Sequence, residues 1–437
     1  MSEKGKTPGE MIQASVNANS SPSDLKITDM RAAVVCSNYD YPIIRIDTNQ
    51  DVYGIGEVRD AGHKENALQY KSILLGQNPC NVDMIFRAIK RYGNSGREGG
   101  GVSGIELALW DIIGKVYGVP CYQFLGGKYR DRIRIYADTP APAQPTHEGY
   151  AERVLSRKEM GLTVIKFDVG VHVFRGYIED GLVGRWARHD RGLGRRWAVR
   201  GSIGTQLTEK GIARFVEIVS AVREAAGWDV ALAIDHFGPL SVKDGIRLGR
   251  ALEPFSLAWM EDIIPWWDVD GNLQVTRSIN VPTLNGEDIY LWDGWREMIE
   301  KRAIDIIHPD LLTSGGMAET KKIADYAERY GLSTALHFAG SPIAFMANLH
   351  CAAAIPSFIA LENHALDLPF WKGLVTGLEE PLMEDGYVRV PEKPGLGVDL
   401  NYDGIEANLR FPGLFEPTEE WNTPKLGFWQ PDRRWDK

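Results

Sequence analysis

Six residues able to bind a cation or move a proton recur at a near-constant interval through the second half of the chain. Asp235, Glu261 and Glu287 are each 26 residues apart, Asp310 follows 23 later, His337 27 after that and Glu362 25 after that. Each ends a short apolar run: VALAIDHF, SLAWMEDI, PTLNGEDI, IDIIHPDL, STALHFAG and FIALENHA. Three carboxylates brought together without a basic partner repel one another unless a cation sits between them. Hard oxygen donors of this kind suit Mg²⁺. The competing expectation for Asp235, Glu261 and Glu287 is that they merely cap the helices that follow, which strand-to-helix loops favour. His337 with Asp310 reads as a general acid/base dyad, because a neighbouring carboxylate fixes an imidazole's tautomer and raises its basicity. The bland alternative is a histidine that satisfies a buried backbone group.

An interval near 25 residues accommodates one strand, one helix and two loops. Residues 131–375 therefore read as an α/β unit, a (β/α)8-type barrel whose strand ends meet at one mouth. RIRIYADT supplies the first strand and TVIKFDVG the second, and the six runs above supply the other six. On the second strand Lys166 and Asp168 are two apart and face the same way. Both are expected at the mouth, Lys166 beside the metal and Asp168 opposite His337, unless they form only a structural pair lining the barrel. Glu362, ending the eighth strand, is expected to meet a substrate oxygen or to form a rim salt bridge.

Before the barrel, residues 26–130 read as an α+β capping domain: three strands with tight connections, then helices, the last closed by Gly118–Val119–Pro120. Residues 376–437, rich in Pro, Gly and Trp, are expected to return to that unit, and residues 1–25 form a polar extension without the apolar segment of a secretory signal. The stretch 169–208 interrupts the rhythm and carries seven arginines, an anion contact or a subunit interface. Trp186, Trp197 and the pair Trp266 and Trp267 could wall the site or an interface.

Bulk properties narrow the field. A chain of 437 residues with 44% hydrophobic and 25% charged residues has the composition of a globular protein of about two domains. The net charge of −10 argues against nucleic acid as a partner. The four cysteines are widely spaced with no CxxC, which fits free thiols in a reducing, cytoplasmic setting. No apolar run approaches membrane-spanning length.

In combination, GVSGIELALWDIIGKVYGVPCYQFLGG, the IKFD strand, the Asp235/Glu261/Glu287 set, HPDLLTSGG and the His337 strand resemble the enolase superfamily, within it the mandelate racemase-like subgroup. The resemblance covers nearly everything after residue 26. It implies a cap over a Mg²⁺-bearing barrel that removes the proton α to a carboxylate, in a homo-oligomer. Many members carry Lys-x-Lys on the second strand, whose second lysine is a base opposite the histidine, whereas this chain has Asp168 there. A racemase needs a base on each face, so the departure favours dehydration of a sugar acid to a 2-keto-3-deoxy acid. A racemase, epimerase or cycloisomerase, or a barrel that binds acid sugars without turnover, are the alternatives. Some dehydratases of the subgroup have a histidine two residues after the first metal ligand. Here His236 follows directly and is a candidate substrate contact, or the acid for the leaving hydroxyl, although alternation is expected to turn it outward. In such an architecture the cap selects the distal end of the substrate, through segments 36–41 and 57–63, with Arg59 and His63 as its most useful polar groups.

Overall fold

The structure, a computed structural model, describes residues 22–60, 62–93, 96–170, 173, 181–183, 206–235 and 240–423. His236, the seven arginines of the 169–208 stretch, Trp186 and Trp197 lie outside the described residues.

The cap begins with an antiparallel meander, β1 (Ile27–Val35), β2 (Tyr41–Thr48) and β3 (Tyr53–Glu57). Helix α1 (Gly100–Tyr117) packs on it and ends at Gly118, whose φ of 70° is the left-handed turn glycine adopts without strain. The approach is backbone to backbone. A Cβ at Gly104 would lie 2.4 Å from the Glu57 carbonyl oxygen, and one at Gly56 only 2.1 Å from that of Gly104. Gly104→Ala is therefore expected to cost about 3 kcal/mol of stability by overpacking, read as a lower denaturation midpoint. An unchanged midpoint would mean that helix and sheet are free to separate there.

Eight parallel strands follow: β4 (Arg132–Ala137), β5 (Val164–Asp168), β6 (Ala231–Asp235), β7 (Trp259–Glu261), β8 (Thr283–Asn285), β9 (Ile306–Ile307), β10 (Ser333–Leu336) and β11 (Phe358–Asn363). Each pairs with the next, and β11 pairs with β4 through Leu361↔Ile135 and Glu362↔Tyr136, so the sheet closes. The helices between them include α2 (His147–Glu159), α3 (Glu209–Ala226), α4 (Val242–Leu252), α5 (Val269–Thr276), α6 (Leu291–Glu300), α7 (Met317–Arg329) and α8 (Pro342–Ala354). Thr146, Thr208, Ser241, Asp268 and Ser341 each cap the helix that follows by accepting a backbone N–H.

One residue from each strand builds an apolar layer across the barrel: Tyr136, Val164, Ala233, Trp259, Leu284, Ile306, Ala335 and Ala360. Since successive side chains alternate in and out, the next inward layer toward the mouth falls two residues later. It reads Asp138, Lys166, Asp235, Glu261, Gly286, His308, His337 and Glu362. The barrel thus has a dry floor and, directly above it, a ring that is polar at every position but Gly286.

The chain beyond β11 returns to both units. Tyr387–Arg389 pairs antiparallel with β4, the Arg410 amide donates to Val34, and Lys71 of the cap donates to Thr418. All four cysteines are unpaired; Cys121 and Cys351 are buried, Cys36 and Cys80 half-buried. Among the described residues, no helix is long and apolar enough to cross a membrane.

Candidate active site

The cap is fixed to the mouth by two buried glutamates that hold helix N-termini, where backbone N–H groups and the helix dipole favour a carboxylate. Glu57, at the end of β3, accepts from the Ser341 amide at 2.9 Å and from its hydroxyl, at the start of α8. Glu106 of α1 accepts from Met317 and Ala318 at 2.9 and 3.0 Å, at the start of α7. The segment just after Glu57 is thereby held over the strand ends.

Lys166 is the hub of the polar ring. Its ammonium lies 2.6 Å from Glu362, 3.0 Å from Glu261 and 3.2 Å from Asp235, and it is 1% exposed. Burial opposes its charge, but the carboxylates outweigh burial and hold the amine well above its ordinary value. Glu362 is wholly buried; burial would raise it, yet Lys166 and His364 keep it well below the carboxylate range. It also accepts from the Tyr136 hydroxyl at 3.1 Å. Of the two expectations for Glu362, the salt bridge is present: its oxygens meet Lys166 and His364 within the mouth.

His337 Nδ1 lies 2.6 Å from Asp310 Oδ2, and its Nε2 is 2.8 Å from Glu287. Burial opposes protonation of this imidazole, and the Glu287 carboxylate overrides burial, raising it well above its usual value. Asp310 is steadied on three sides. Arg59 donates to it at 2.9 Å, the Leu312 amide donates at 2.7 Å, and His337 completes the set. Arg59 outweighs burial and lowers the Asp310 carboxyl.

Arg59 itself is fully buried between Asp60 and Asp310. This corrects its expected place as a cap residue open to the substrate's distal end; it stands behind the dyad. His63 is exposed, and its backbone N–H donates to Asn66 at 2.8 Å at the start of a short helical turn. Among the described residues no hydrogen bond or ion pair of its side chain joins it to the mouth.

Asp235, Glu261 and Glu287 come from three consecutive strand ends, β6, β7 and just beyond β8. Asp235 and Glu261 share the Lys166 ammonium, so their oxygens already converge on one positive point. Glu287 turns to His337 and, at 3.4 Å, to Arg97. Three carboxylates of this kind fit a hard divalent cation, provided Glu287 exchanges its imidazole partner for the ion. Two tighter donor groups, Glu261–His308–Glu362 and His337–Glu362–His364, have their ligand atoms within 4.8 Å of one another. Both are internal ion-pair contacts of the ring, and Lys166 already carries the positive charge at Glu261 and Glu362.

Asp168 sits level with Asp235 in the parallel register, and its charge is felt by the Asp138 carboxyl. Trp266 and Trp267 meet edge-on at 5.8 Å and, with Pro265, Glu287 and Asp288, line a hollow beside the third strand-end carboxylate.

Four participants escape the 25-residue rhythm. His308 occupies the ring position on β9 that the rhythm gives to Asp310. Its Nε2 lies 3.3 Å from Glu261, and despite burial that carboxylate lifts its pKa to about 9. Counting two residues from Ile306 would have found it. Asp138 is reached the same way from Tyr136. His364 follows Glu362 by two, and lies 3.3 Å from Asp138 and 3.2 Å from Glu362. Arg97 of the cap pairs with Asp60 at 2.7 Å and with Glu287, and no sequence signal marks it.

A closed eight-stranded barrel, a cap fixed over its mouth and carboxylates on three consecutive strand ends define an enolase-type protein. The comparisons agree: residues 149–404 match the family described as enolase C-terminal domain-like. Residues 11–126 match the mandelate racemase / muconate lactonizing enzyme N-terminal domain, and the chain belongs to this mandelate racemase-like branch of the enolase superfamily. It is 37% identical over 393 residues to a D-xylonate dehydratase from Haloferax volcanii, spanning 88% of this chain and 89% of that one. It is 29% identical to a D-mannonate dehydratase from Caulobacter vibrioides, spanning 87% and 94%. Among solved structures, a mandelate racemase/muconate lactonizing enzyme-like protein from Rubrobacter xylanophilus superposes with a TM-score of 0.78 at 30% identity, spanning 90% of this chain and 100% of that one.

Proposed function

We propose that the protein is a Mg²⁺-dependent hydro-lyase that dehydrates an aldonic acid to its 2-keto-3-deoxy acid. The observation that carries this is the position of His337: its Nδ1 is held by the Asp310–Arg59 pair, and its Nε2 lies 2.8 Å from one of three carboxylates on consecutive strand ends. A base directed at the point where a cation would hold a substrate carboxylate is suited to removing the α-proton. The names of the relatives, dehydratases of D-xylonate and D-mannonate, support the same class of substrate.

Asp235, Glu261 and Glu287 would hold Mg²⁺, which, when bound, supplies Lewis-acid stabilisation of the enediolate. His337 Nε2 accepts the proton from C2. Asp310 keeps Nδ1 protonated and balances the imidazolium, while Arg59 and the Leu312 amide keep Asp310 ionised and in place. Lys166 adds fixed positive charge at the centre of the ring, where a buried, preorganised cation stabilises developing negative charge better than water can. The cap, fastened through Glu57 and Glu106, keeps water from the mouth.

Incubation with Mg²⁺ and D-xylonate, D-galactonate or D-mannonate is expected to give a 2-keto-3-deoxy acid, detected as its semicarbazone. Exchange of the C2 proton in D2O without such a product would favour epimerisation. Neither exchange nor product across a panel of aldonates and aldarates would sink the reading.

A further inference from the structure

Dehydration needs a proton for the departing C3 hydroxyl, and none of the groups assigned so far supplies it. Three carboxylates hold the Lys166 ammonium well above its ordinary value despite burial, which makes it a poor proton donor. Asp168 lies on β5, three strands away around the barrel from β10, which leads into His337. A second imidazole stands at the mouth instead. His364 follows β11, and its ring centroid is 5.4 Å from that of His337, which follows the adjacent strand β10. It is held between Asp138, 3.3 Å from Nδ1, and Glu362, 3.2 Å from Nε2. From above, the cap reaches it: Asn38 donates to its backbone carbonyl at 3.4 Å, and the ring of Tyr39 lies edge-on at 6.2 Å. Flanked by two acids, this imidazole carries its proton more readily than a free one, although burial works against it.

Resting on the dehydratase reading, we propose that His364 is the general acid that protonates the leaving hydroxyl, on the same face of the substrate as His337. Two imidazoles on neighbouring strands, 5.4 Å apart, can address adjacent carbons from one side, so the elimination is syn. His337 Nε2 takes the C2 proton, and the C–H electron pair passes into the enediolate. That pair then forms the C2=C3 bond as the C3–O bond breaks. The departing oxygen takes the His364 proton and leaves as water, and the enol ketonises to the 2-keto-3-deoxy acid. Both imidazoles return to their starting states by exchange with solvent.

The test follows His364→Asn in D2O, with whichever of D-xylonate, D-galactonate and D-mannonate the wild-type protein dehydrates. Dehydration is expected to fall by about a hundredfold or more, while C2 proton exchange stays within tenfold of wild type. The 3-deoxy-3-fluoro analogue, whose fluoride leaves without a proton, is expected to be eliminated by the variant at a near wild-type rate. His364→Gln replaces it if His364→Asn fails to fold by circular dichroism. Unchanged dehydration in a folded variant overturns the assignment and leaves the dehydratase reading standing. Loss of both exchange and fluoride elimination also overturns it, marking His364 as a residue that positions His337. A wild-type protein that neither exchanges nor dehydrates any of the three acids sinks both readings.

Discussion

His337→Asn is expected to lower kcat by about three orders of magnitude, within the range general acid–base catalysis supplies, and to abolish C2 proton exchange with it. The asparagine side chain keeps a polar group where Nδ1 now meets Asp310, and Asp310 retains Arg59 and the Leu312 amide as partners. The fold should therefore survive. Because none of the three proposed ligands is altered, Mg²⁺ should still raise the thermal midpoint of the variant. The two measurements separate a lost base from a lost site. A variant that kept a tenth or more of wild-type kcat would show that the proton goes elsewhere.

The opposite pattern is expected at Glu261. This carboxylate is fully buried and meets Lys166 at 3.0 Å, His308 at 3.3 Å and the Trp259 indole N–H at 3.2 Å. Burial would raise its pKa, but Lys166 outweighs burial and holds it below the ordinary carboxylate value, so it is charged at neutral pH. Glu261→Gln keeps the shape and removes the charge. Mg²⁺ present at a hundred times its Kd stabilises a native site by about 2.7 kcal/mol. That stabilisation, read as a shift in thermal midpoint, should vanish in the variant at the same Mg²⁺ concentration, and activity should fall by at least a hundredfold. Chelation of the wild-type protein should remove activity, and Mg²⁺ should restore it. A full Mg²⁺-dependent shift in Glu261→Gln would show that the ion is held by other residues.

The three strand-end carboxylates and His337 were legible because a parallel β/α repeat has a length, and a polar residue at a fixed place in each repeat must reach one mouth. The same reading failed one step along at β9. That strand has two residues, Ile306 and Ile307, too few to display alternation. The carboxylate of the HPD sequence therefore drew the sixth position away from His308. Asp310 lies two residues further out, where it is placed to hold His337 rather than to line the ring. His364 escapes the rhythm for a similar reason: Glu362 already fills the place for the eighth strand.

Arg59 marks a different limit. An arginine on a cap loop reads as a substrate contact, and the neighbouring Asp60 does not reveal that both are buried. Its partner Asp310 is 251 residues away, and only the docking of the cap, with Glu57 accepting from the start of α8 and Glu106 from the start of α7, brings the two together. The cost of burying that guanidinium is offset by two carboxylates, and the pair then serves His337.

The sequence by itself determined which strands exist, which residues face inward on strands long enough to alternate, and that three successive strands end in carboxylates. Those are local periodicities, set by the two-residue alternation of a strand and the length of a β/α unit. The tertiary structure decided which charges meet. Closure of β11 onto β4 and the seating of the cap put Lys166 against three acids, Arg59 behind Asp310 and His364 beside His337. Such pairings depend on distances between residues far apart in the chain, and no local pattern encodes them.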